Sequence, residues 1–246
     1  MKLQRLLSLT RQAIDAYHMI DTDDHITLGL SGGKDSLALL YALAELRRFY
    51  PASFTLSAIT VDLGLGNMEL GPIKEICSDL SVPYEIIPTD IGRILFDARK
   101  ESNPCALCAK MRKGALNRKA KEMGSNKIAY AHHRDDLIET MLLALLYEGR
   151  FYAFSPYTWL DRMELAVIRP LLFVRETEVA GFCNKYHLPV CKNPCPMDKH
   201  TQREYVKRLA KRLEQDAPGA KDRMFRAILS GDIEGWPEAD PTKLHP

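Results

Sequence analysis

The sequence predicts an α/β fold built on a doubly wound parallel sheet. Short apolar runs alternate along the chain with longer runs whose apolar residues recur at helical spacing. One such run, HITLGL at residues 25–30, is typical of a buried strand, and it leads through two glycines into a helical run. Strands that alternate with helices in this way favour a parallel sheet with helices on both of its faces.

The expected elements follow one another with short connections. A helix is expected at residues 3–18, followed by the strand at 25–30 and a helix at 34–50. The later expected elements are strands at 54–62, 84–90 and 127–133, helices at 70–80, 105–124, 135–148 and 176–187, an edge strand or hairpin at 164–171, and one or two helices at 199–229. Gly124 is expected to end one of these helices.

Composition and length indicate one α/β domain with appendages. The chain has 246 residues, of which 46% are hydrophobic and 27% are charged, and its net charge is only +2. We expect the main domain to span 1–190, a helical C-terminal extension to span 191–230, and a loose tail to span 231–246. Because the net charge is small, affinity for a polyanion would have to come from local clusters of basic residues.

Targeting signals are not evident in the sequence. No run reaches the ~18 apolar residues that a membrane span needs, and charged residues interrupt the N-terminal apolar positions where a signal peptide would have none. We therefore expect a cytoplasmic protein with no membrane partner. In a reducing compartment, its six cysteines indicate metal binding or catalysis rather than disulfides.

The segment SGGKDS at residues 31–36 has the features of a phosphate-binding turn. Glycines let backbone amides approach an anion, and the start of the following helix adds partial positive charge. The segment departs from the Walker pattern G-x-x-x-x-G-K-[ST], because Lys34 is followed by Asp35 instead of a hydroxyl that holds magnesium. Asp35 would repel a phosphate unless a cation lay between them, which predicts Mg²⁺ or a charge-positioning role. For the two glycines alone, a plain strand–helix turn is the alternative.

Two further polar groups lie where strands are expected to end. Asp62 could bind a nucleotide hydroxyl or a metal, and an ordinary strand-end aspartate is the alternative. The segment AHHRDDLIET at 131–140 gathers the titratable residues His132, His133, Asp135, Asp136 and Glu139. It lacks the H-E-x-x-H pattern of a helical zinc site, and a helix capped by Asp135 with solvated charges is the alternative.

The cysteines fall into three kinds. Cys105 and Cys108 form a C-x-x-C pair, which is compatible with zinc, an iron–sulfur cluster or a redox disulfide. A second patch holds Cys191 and Cys195, and the two remaining cysteines, Cys77 and Cys183, lie in apolar stretches typical of buried side chains. Four available thiols would suit structural zinc, and three would suit a cluster with one open iron.

Basic residues follow both cysteine patches. The residues concerned are Lys110, Arg112, Lys113, Arg118, Lys119 and Lys121 after the first patch, and Lys199, Arg203, Lys207 and Lys211 after the second. A solvated helix face would account for either stretch alone. Together they would draw a polyanion such as RNA to the place where the thiols lie.

Taken together, these motifs resemble the tRNA 2-thiocytidine synthetase (TtcA) family of PP-loop ATP pyrophosphatases. The resemblance covers residues 3–212 and rests on LSGGKDS, PCALCAKMRKGAL, KIAYAHHRDDLIETMLL, VIRPLLFVRETEV and a late cysteine followed by TQRE. It implies an adenine nucleotide alpha hydrolase-like fold. It also implies an ATP-dependent tRNA sulfurtransferase that adenylates and thiolates C2 of a cytidine in the anticodon loop.

The resemblance further implies roles for individual residues. A 4Fe–4S cluster would be held by Cys105, Cys108 and Cys195, since Cys195 fits the family distance to the QRE segment better than Cys191, which stays an alternative ligand. ATP and Mg²⁺ would be bound by Ser31, Gly32, Gly33, Lys34, Asp35, Ser36, Asp62 and His132, and the expected catalytic residues are Lys34, Asp35, Asp135 and Asp136. The implied partners are the tRNA anticodon stem-loop, a sulfur donor such as a cysteine desulfurase, and a second copy of the chain in a homodimer.

Other classes of protein fit parts of the sequence. A thiouridine-forming enzyme or a lysidine-type ligase would share the SGGKDS loop, although a ligase would not need the three cysteines as a set. A zinc-containing nucleic-acid-binding protein would account for the thiols but would leave the loop unexplained. A dinucleotide oxidoreductase is disfavoured, because G-x-G-x-x-G does not follow a strand.

Overall fold

A six-stranded mixed sheet forms the centre of the protein. The computed structural model describes residues 1–66, 69–98, 104–191, 195 and 202–244. The strands are β1 (Asp24–Gly29), β2 (Phe54–Asp62), β3 (Tyr84–Pro88), β4 (Lys127–Ala129), β5 (Tyr157–Leu160) and β6 (Leu165–Ile168). They lie in the order β3-β2-β1-β4-β6-β5, and all neighbours are parallel except the edge pair β5–β6. The α/β class is therefore confirmed. The segment at 164–171, expected as an edge strand or hairpin, holds the inner strand β6 of a hairpin whose other strand, β5, lies at the edge.

Helices connect the strands and complete the C-terminal part. They are α1 (Leu3–Ala16), α2 (Lys34–Leu46), α3 (Gly71–Asp79), α4 (Ile91–Arg93), α5 (Pro104–Glu122), α6 (Arg134–Leu143), α7 (Glu176–Lys185), α8 (Gln202–Asp216) and α9 (Ala220–Ser230). Single π-helical turns follow α4 at Ile94–Ala98 and α6 at Ala144–Glu148. Gly124 has a φ of +77° just beyond α5, as expected of a residue that ends a helix. Among the described residues, no helix is both long and apolar enough to cross a membrane.

The two faces of the sheet are covered unequally. The larger apolar cluster joins one face to residues of α1, α2, α3, α6, α7 and α9. On the other face, Leu116 and Ala120 of α5 pack against Ile59, Ile128 and Leu165. The helix with the C-x-x-C pair is therefore fixed by its C-terminal half to the sheet, and its N-terminal half lies towards the carboxyl ends of the strands.

The order of the strands places a crevice between β1 and β4. The chain moves from β1 to β2 and β3 on one side, and later from β4 to β6 on the other. In open α/β sheets, ligands bind beyond the carboxyl ends of strands at such a switch point. The SGGKDS loop follows β1 and the AHHRDD segment follows β4, so the two motifs meet at this crevice. The strand expected at 127–133 ends at Ala129, because the chain then leaves the sheet towards α6.

The C-terminal part differs from the loose tail expected at 231–246. Ile233 is buried, the indole Nε1 of Trp236 donates to the carbonyl of Ala153 at 3.0 Å, and the amide of Asp240 donates to the carbonyl of Ala16 at 2.9 Å. The proline and glycine content of this segment predicted a loose tail and could not indicate these contacts. The described tail residues thus pack on the main domain, and so do α8 and α9, which contact α6. The boundary at residue 190 stays a prediction.

Replacing Trp236 with alanine should lower the stability of the protein. Trp236→Ala removes a ring that packs on the larger apolar cluster, together with its hydrogen bond to Ala153. We expect the free energy of unfolding to fall by about 2–3 kcal/mol, measured by urea denaturation and circular dichroism. Trp159→Ala is the matched control, because Trp159 is 51% exposed and should change stability by less than about 0.5 kcal/mol. Equal effects of the two changes would contradict a packed tail.

Candidate active site

The SGGKDS loop forms a tight turn between β1 and α2. Gly32 has a φ of +76°, which disfavours any residue with a Cβ atom, and Gly33 is the N-cap of α2. Ser31 and Ser36 bind each other across the turn, with 3.3 Å between their Oγ atoms. The Ser36 hydroxyl also donates to the carbonyl of Gly33 at 2.9 Å. Backbone amides and the start of α2 are therefore held in an arrangement suited to an anion.

Lys34 and Asp35 form an ion pair at the start of α2. The Lys34 Nζ atom lies 2.9 Å from Asp35 Oδ1 and 3.1 Å from Glu176 Oε1. Burial opposes the positive charge, but the two carboxylates outweigh it and raise the pKa of Lys34. The lysine is thus held charged beside the turn, from where its ammonium group can reach an anion bound there.

His133, not Asp135, caps α6. The Nδ1 atom of His133 accepts from the amide of Asp136 at 3.3 Å, and Asp136 Oδ2 accepts from the amide of His133 at 2.9 Å. This reciprocal pair is a capping box made by a histidine. The other ring nitrogen of His133 lies 3.6 Å from Asp35 Oδ1, so the cap also links α6 to the start of α2. The capping role expected for Asp135 is therefore wrong.

Asp135 is instead fully engaged in joining three helices. Its Oδ1 atom accepts from Lys221 Nζ of α9, and its Oδ2 atom accepts from the backbone amide of Glu176 at the start of α7, both at 2.7 Å. Burial disfavours the charged form of Asp135, but the Glu176 amide and Lys221 outweigh burial and lower its pKa. Asp135 does not line the cleft beside the SGGKDS loop.

Cations of α8 balance the remaining carboxylates of this region. Arg203 lies 2.9 Å from Asp136 Oδ1 and 3.3 Å from Glu139 Oε2, and Lys207 lies 2.6 Å from Glu176 Oε1. Burial opposes the charge of Asp136, but His133 and Arg203 lower its pKa, whereas burial and Asp136 raise the pKa of Glu139. The C-terminal helices are therefore tied electrostatically to the strand-end motifs.

His132 is held neutral at the floor of the crevice. Burial and the nearby Arg169 lower the pKa of His132 to about 3. The Nδ1 atom of His132 accepts from Arg169 Nε at 3.2 Å, so the ring proton resides on Nε2. His132 lines the cleft and can offer an N–H donor there.

Cys105, Cys108 and Cys195 interact electrostatically with one another. Burial and the charge of Cys195 raise the pKa of Cys105. Burial likewise raises the pKa of Cys108, Arg112 opposes the rise, and Cys195 and Cys105 add to it. Thiols that oppose one another's ionisation are a donor set that a cationic metal group would stabilise. Among the described residues, no three His, Cys, Asp or Glu side chains close around a common metal position, so the chemistry of the thiols, and not a preformed cage, fits such a group.

Cys191 lies elsewhere, against the SGGKDS loop. Its amide donates to the carbonyl of Gly32 at 2.9 Å, and its thiol donates to the carbonyl of Glu69 at 3.3 Å. A Cβ atom on Gly32 would lie 3.1 Å from the Cys191 Sγ atom. Cys191 therefore supports the turn, while Cys195 is the late cysteine that interacts with the C-x-x-C pair.

One cleft of about 340 Å³ brings residues of the turn, of α5 and of the AHHRDD segment together. On one side it is lined by Ser31, Asp35 and Ser36, and on the other by Ala109, Arg112, Lys113 and Leu116 of α5, with His132 and Asp136 beneath. The phosphate-binding turn thus faces the helix that carries the C-x-x-C pair. Asp62 does not line the cleft, because its Oδ1 atom accepts from the amide of Gly64 in the turn after β2.

Comparison with known proteins agrees with this geometry. Residues 4–213 match the family model of the PP-loop domain. A tRNA-cytidine(32) 2-sulfurtransferase of Pelobacter propionicus is 36% identical over 228 residues, covering 92% of this chain and 85% of the relative. A protein of the same name from Vibrio cholerae serotype O1 is 37% identical over 230 residues, covering 92% of this chain and 74% of the relative.

The chain belongs to the tRNA-cytidine(32) 2-sulfurtransferase family of PP-loop proteins. Among solved structures, it is similar to the U34-tRNA thiolase NcsA from Methanococcus maripaludis with its [4Fe-4S] cluster. The TM-score is 0.74 at 26% sequence identity, and the match covers 90% of this chain and 76% of that one. The fold class and the family expected from the sequence are thereby confirmed.

Several residues around the site of this sulfurtransferase-family protein could not be predicted from its sequence. Glu176 and Lys221 enter the region only through the fold, and no spacing rule links them to Asp135 or Lys34. Arg169 belongs to the VIRPL segment, which pointed to the family but not to a contact with His132. A charged residue inside a strand-like apolar run was the available signal, because such a residue is rarely buried without a partner.

Replacing Gly32 with alanine should strain the PP-loop. Gly32→Ala places a Cβ atom in a left-handed conformation and against Cys191, so we expect the free energy of unfolding to fall by about 1–3 kcal/mol. Gly33→Ala is the control, because Gly33 has a φ of −75° and its Cβ atom would meet only the Ser31 hydroxyl. Urea denaturation measures both changes, and a Gly32→Ala protein as stable as the Gly33→Ala protein would contradict the role of the left-handed turn.

The neutral state of His132 predicts a loss of stability in mild acid. Because its pKa is lowered from 6.5 to about 3, the unfolded chain binds a proton that the folded protein does not as the pH falls below 6.5. From about pH 7.5 to about pH 5.5, the wild type should lose about 1.4 kcal/mol more stability than His132→Asn. Urea denaturation at the two pH values measures this, with the exposed His187→Asn as control. Identical slopes for wild type and His132→Asn would count against a neutral His132.

Proposed function

We propose that this chain is an ATP-dependent tRNA sulfurtransferase that replaces the C2 oxygen of cytidine 32, in the tRNA anticodon loop, with sulfur. The observation that carries the proposal is the single cleft in which the PP-loop faces the C-x-x-C helix. Nucleotide activation and sulfur delivery must meet at one base, and this cleft lies between the PP-loop and the helix that carries the C-x-x-C pair. The names of the relatives and the 4Fe–4S thiolase neighbour support the same reaction.

The PP-loop binds the phosphates of ATP. The amides of Gly32 and Gly33, the hydroxyls of Ser31 and Ser36 and the start of α2 are the donors in this proposal. Lys34 exchanges its contacts with Asp35 and Glu176 for the departing pyrophosphate and offsets the charge that develops there. Asp35 lines the cleft and would hold Mg²⁺ there, and the cation would offset the repulsion between a bare carboxylate and the phosphates.

Activation takes place at C2 of the cytidine. The C2 oxygen attacks the α-phosphorus of ATP, the bond to the bridging oxygen breaks, and pyrophosphate leaves. The C2 oxygen, which is a poor leaving group by itself, thereby becomes part of AMP, which is a good leaving group. Sulfur then forms the new bond to C2, and AMP departs with the original oxygen. His132 Nε2 and Asp136 lie in the cleft to orient the nucleotide, and Asp135 acts outside it by joining α6, α7 and α9.

Cys105, Cys108 and Cys195 are the proposed ligands of a 4Fe–4S cluster. When bound through three thiolates, such a cluster supplies an iron that is free to hold inorganic sulfur. The electrostatic interaction of Cys195 with both members of the C-x-x-C pair supports this set. Cys191 is the less suitable third ligand, because its thiol and amide are engaged beside Glu69 and Gly32.

The remaining partners follow from the same proposal. Basic side chains of α5 border the cleft and would meet the phosphates of the anticodon stem-loop. Unpaired loop bases can enter a protein pocket, whereas stacked bases cannot. We place the reaction in the cytoplasm, where tRNA is found, and keep the cysteine desulfurase donor and the homodimer as predictions.

Cysteine variants test the reaction and the ligand set together. Protein purified without oxygen is incubated with tRNA, ATP, Mg²⁺ and sulfide, and digested nucleosides are weighed by mass spectrometry. We expect 2-thiocytidine from the wild type, and loss of both bound iron and thiolation in Cys105→Ser and Cys195→Ser. Cys191→Ala and the buried-thiol control Cys77→Ala should keep their iron.

Each alternative outcome has a defined meaning. Thiolated uridine would move the target base while keeping the mechanism. Pyrophosphate release without any thiolated base would remove the sulfurtransferase assignment. Bound zinc in place of iron and sulfide would overturn the cluster. Loss of iron in Cys191→Ala but not in Cys195→Ser would exchange the third ligand.

A further inference from the structure

A second cavity lies beside the active-site cleft. It measures about 390 Å³ and shares Lys113 and Tyr130 with the cleft as a common wall. Its other walls include Tyr152 and Phe154 from the segment before β5, and the C-terminal tail contributes to its rim. Neither the PP-loop nor any cysteine lines this cavity. A group bound inside would therefore lie next to the reacting groups without touching them.

Two of the three charged side chains that line this cavity are cations. Arg169 is only 8% exposed, and its hydrogen bonds all go to neutral acceptors: His132 Nδ1, the Ser155 carbonyl and Thr158 Oγ1. Desolvation and Arg169 lower the pKa of Lys113, which shows that the two cations oppose each other. In the described part of the chain, neither cation forms an ion pair, although the acidic Glu234 lies on the rim.

Other cations near the strand-end motifs are paired with carboxylates. Lys34, Arg203, Lys207 and Lys221 each have a carboxylate partner. A buried guanidinium without a counter-charge costs free energy, and an anionic ligand removes that cost. The second cavity is thus built to receive negative charge from outside the protein.

Planar side chains line part of the cavity. The ring of Phe154 lies 4.9 Å from that of His132, and Arg169 lies 5.1 Å from its centre. Tyr130 and Tyr152 add two further rings, and Asn117 adds an amide that can pair with the edge of a base. Aromatic surfaces beside cations are the combination with which proteins stack and neutralise unpaired nucleotides.

We propose that the second cavity binds an unpaired nucleotide of the RNA substrate, adjacent to the nucleotide that reacts. Its base stacks on Tyr152 and Phe154, and its phosphate meets Lys113 and Arg169. The inference rests on the proposed function, which supplies the RNA. The bound base is not the acceptor, because the PP-loop and the thiols lie outside this cavity. The cavity therefore selects the sequence context of the target.

The test uses the cluster-containing protein and an anticodon stem-loop RNA with 2-aminopurine, a fluorescent base, next to the target cytidine. Stacking in the cavity should quench its fluorescence on binding to the wild type. Tyr152→Ala should lose most of the quench, whereas Trp159→Ala should keep it, because Trp159 is exposed and does not line the cavity.

A lysine pair separates binding at the wall shared by the two cavities from general electrostatic attraction, and Tyr152→Ala assigns the effect to the second cavity. Lys113→Gln should weaken RNA binding by about five- to tenfold, and Lys110→Gln, which removes the same charge from the same helix outside both cavities, by no more than about twofold. Circular dichroism confirms that each variant is folded. Equal losses of RNA affinity in the two lysine variants, or an unchanged fluorescence quench in Tyr152→Ala, would overturn the nucleotide-binding role of the second cavity. If the wild type still thiolates the RNA in that case, the proposed function stands. A wild type that neither binds nor thiolates the RNA would overturn both.

Discussion

The parallel pairing of β1 with β4 is the interaction on which the rest of the site depends. Only three residue pairs make this contact, from Ile26–Lys127 to Leu28–Ala129. Because the two strands run in the same direction, the PP-loop and the AHHRDD segment leave the sheet at the same edge. A buried contact between Thr27 and Ser125 hydroxyls, 2.6 Å apart, fixes the two strands just before these motifs begin. The position of the nucleotide site is thus determined by the order of the strands more than by any single side chain.

The charges around that crevice explain why the C-terminal helices belong to the active site. Several carboxylates lie close together beside the PP-loop, and they would repel one another and an incoming phosphate. Cations from α8 and α9 pair with them, for example Arg203 with Asp136 and Lys221 with Asp135. Because these carboxylates are paired with cations, the backbone amides of the PP-loop dominate the electrostatic potential that an incoming anion meets. The second cavity has the opposite balance, since its cations lack acidic partners among the described residues.

The parts of this arrangement that were visible in the sequence are those encoded by neighbouring residues. Gly32 and Gly33 before an amphipathic helix, and Cys105 three residues before Cys108, each carry their chemistry within a few positions. The contact between Asp135 and Lys221 spans 86 residues and follows no periodicity, so the sequence could not assign it. Trp236 was missed for a similar reason, because local composition says little about packing against a distant segment.

The arrangement of side chains on helix α5 limits how this enzyme can change during evolution. Its thiols, its cations and its apolar anchor Leu116 lie along a single rigid rod that borders both cavities. Under the proposed function, a substitution that shifts or rotates the rod would alter sulfur delivery, nucleotide binding and RNA contacts at once. These three properties cannot be tuned independently at positions that move the helix. New specificity towards RNA should therefore arise more readily in the segment around Tyr152, which is not part of this helix.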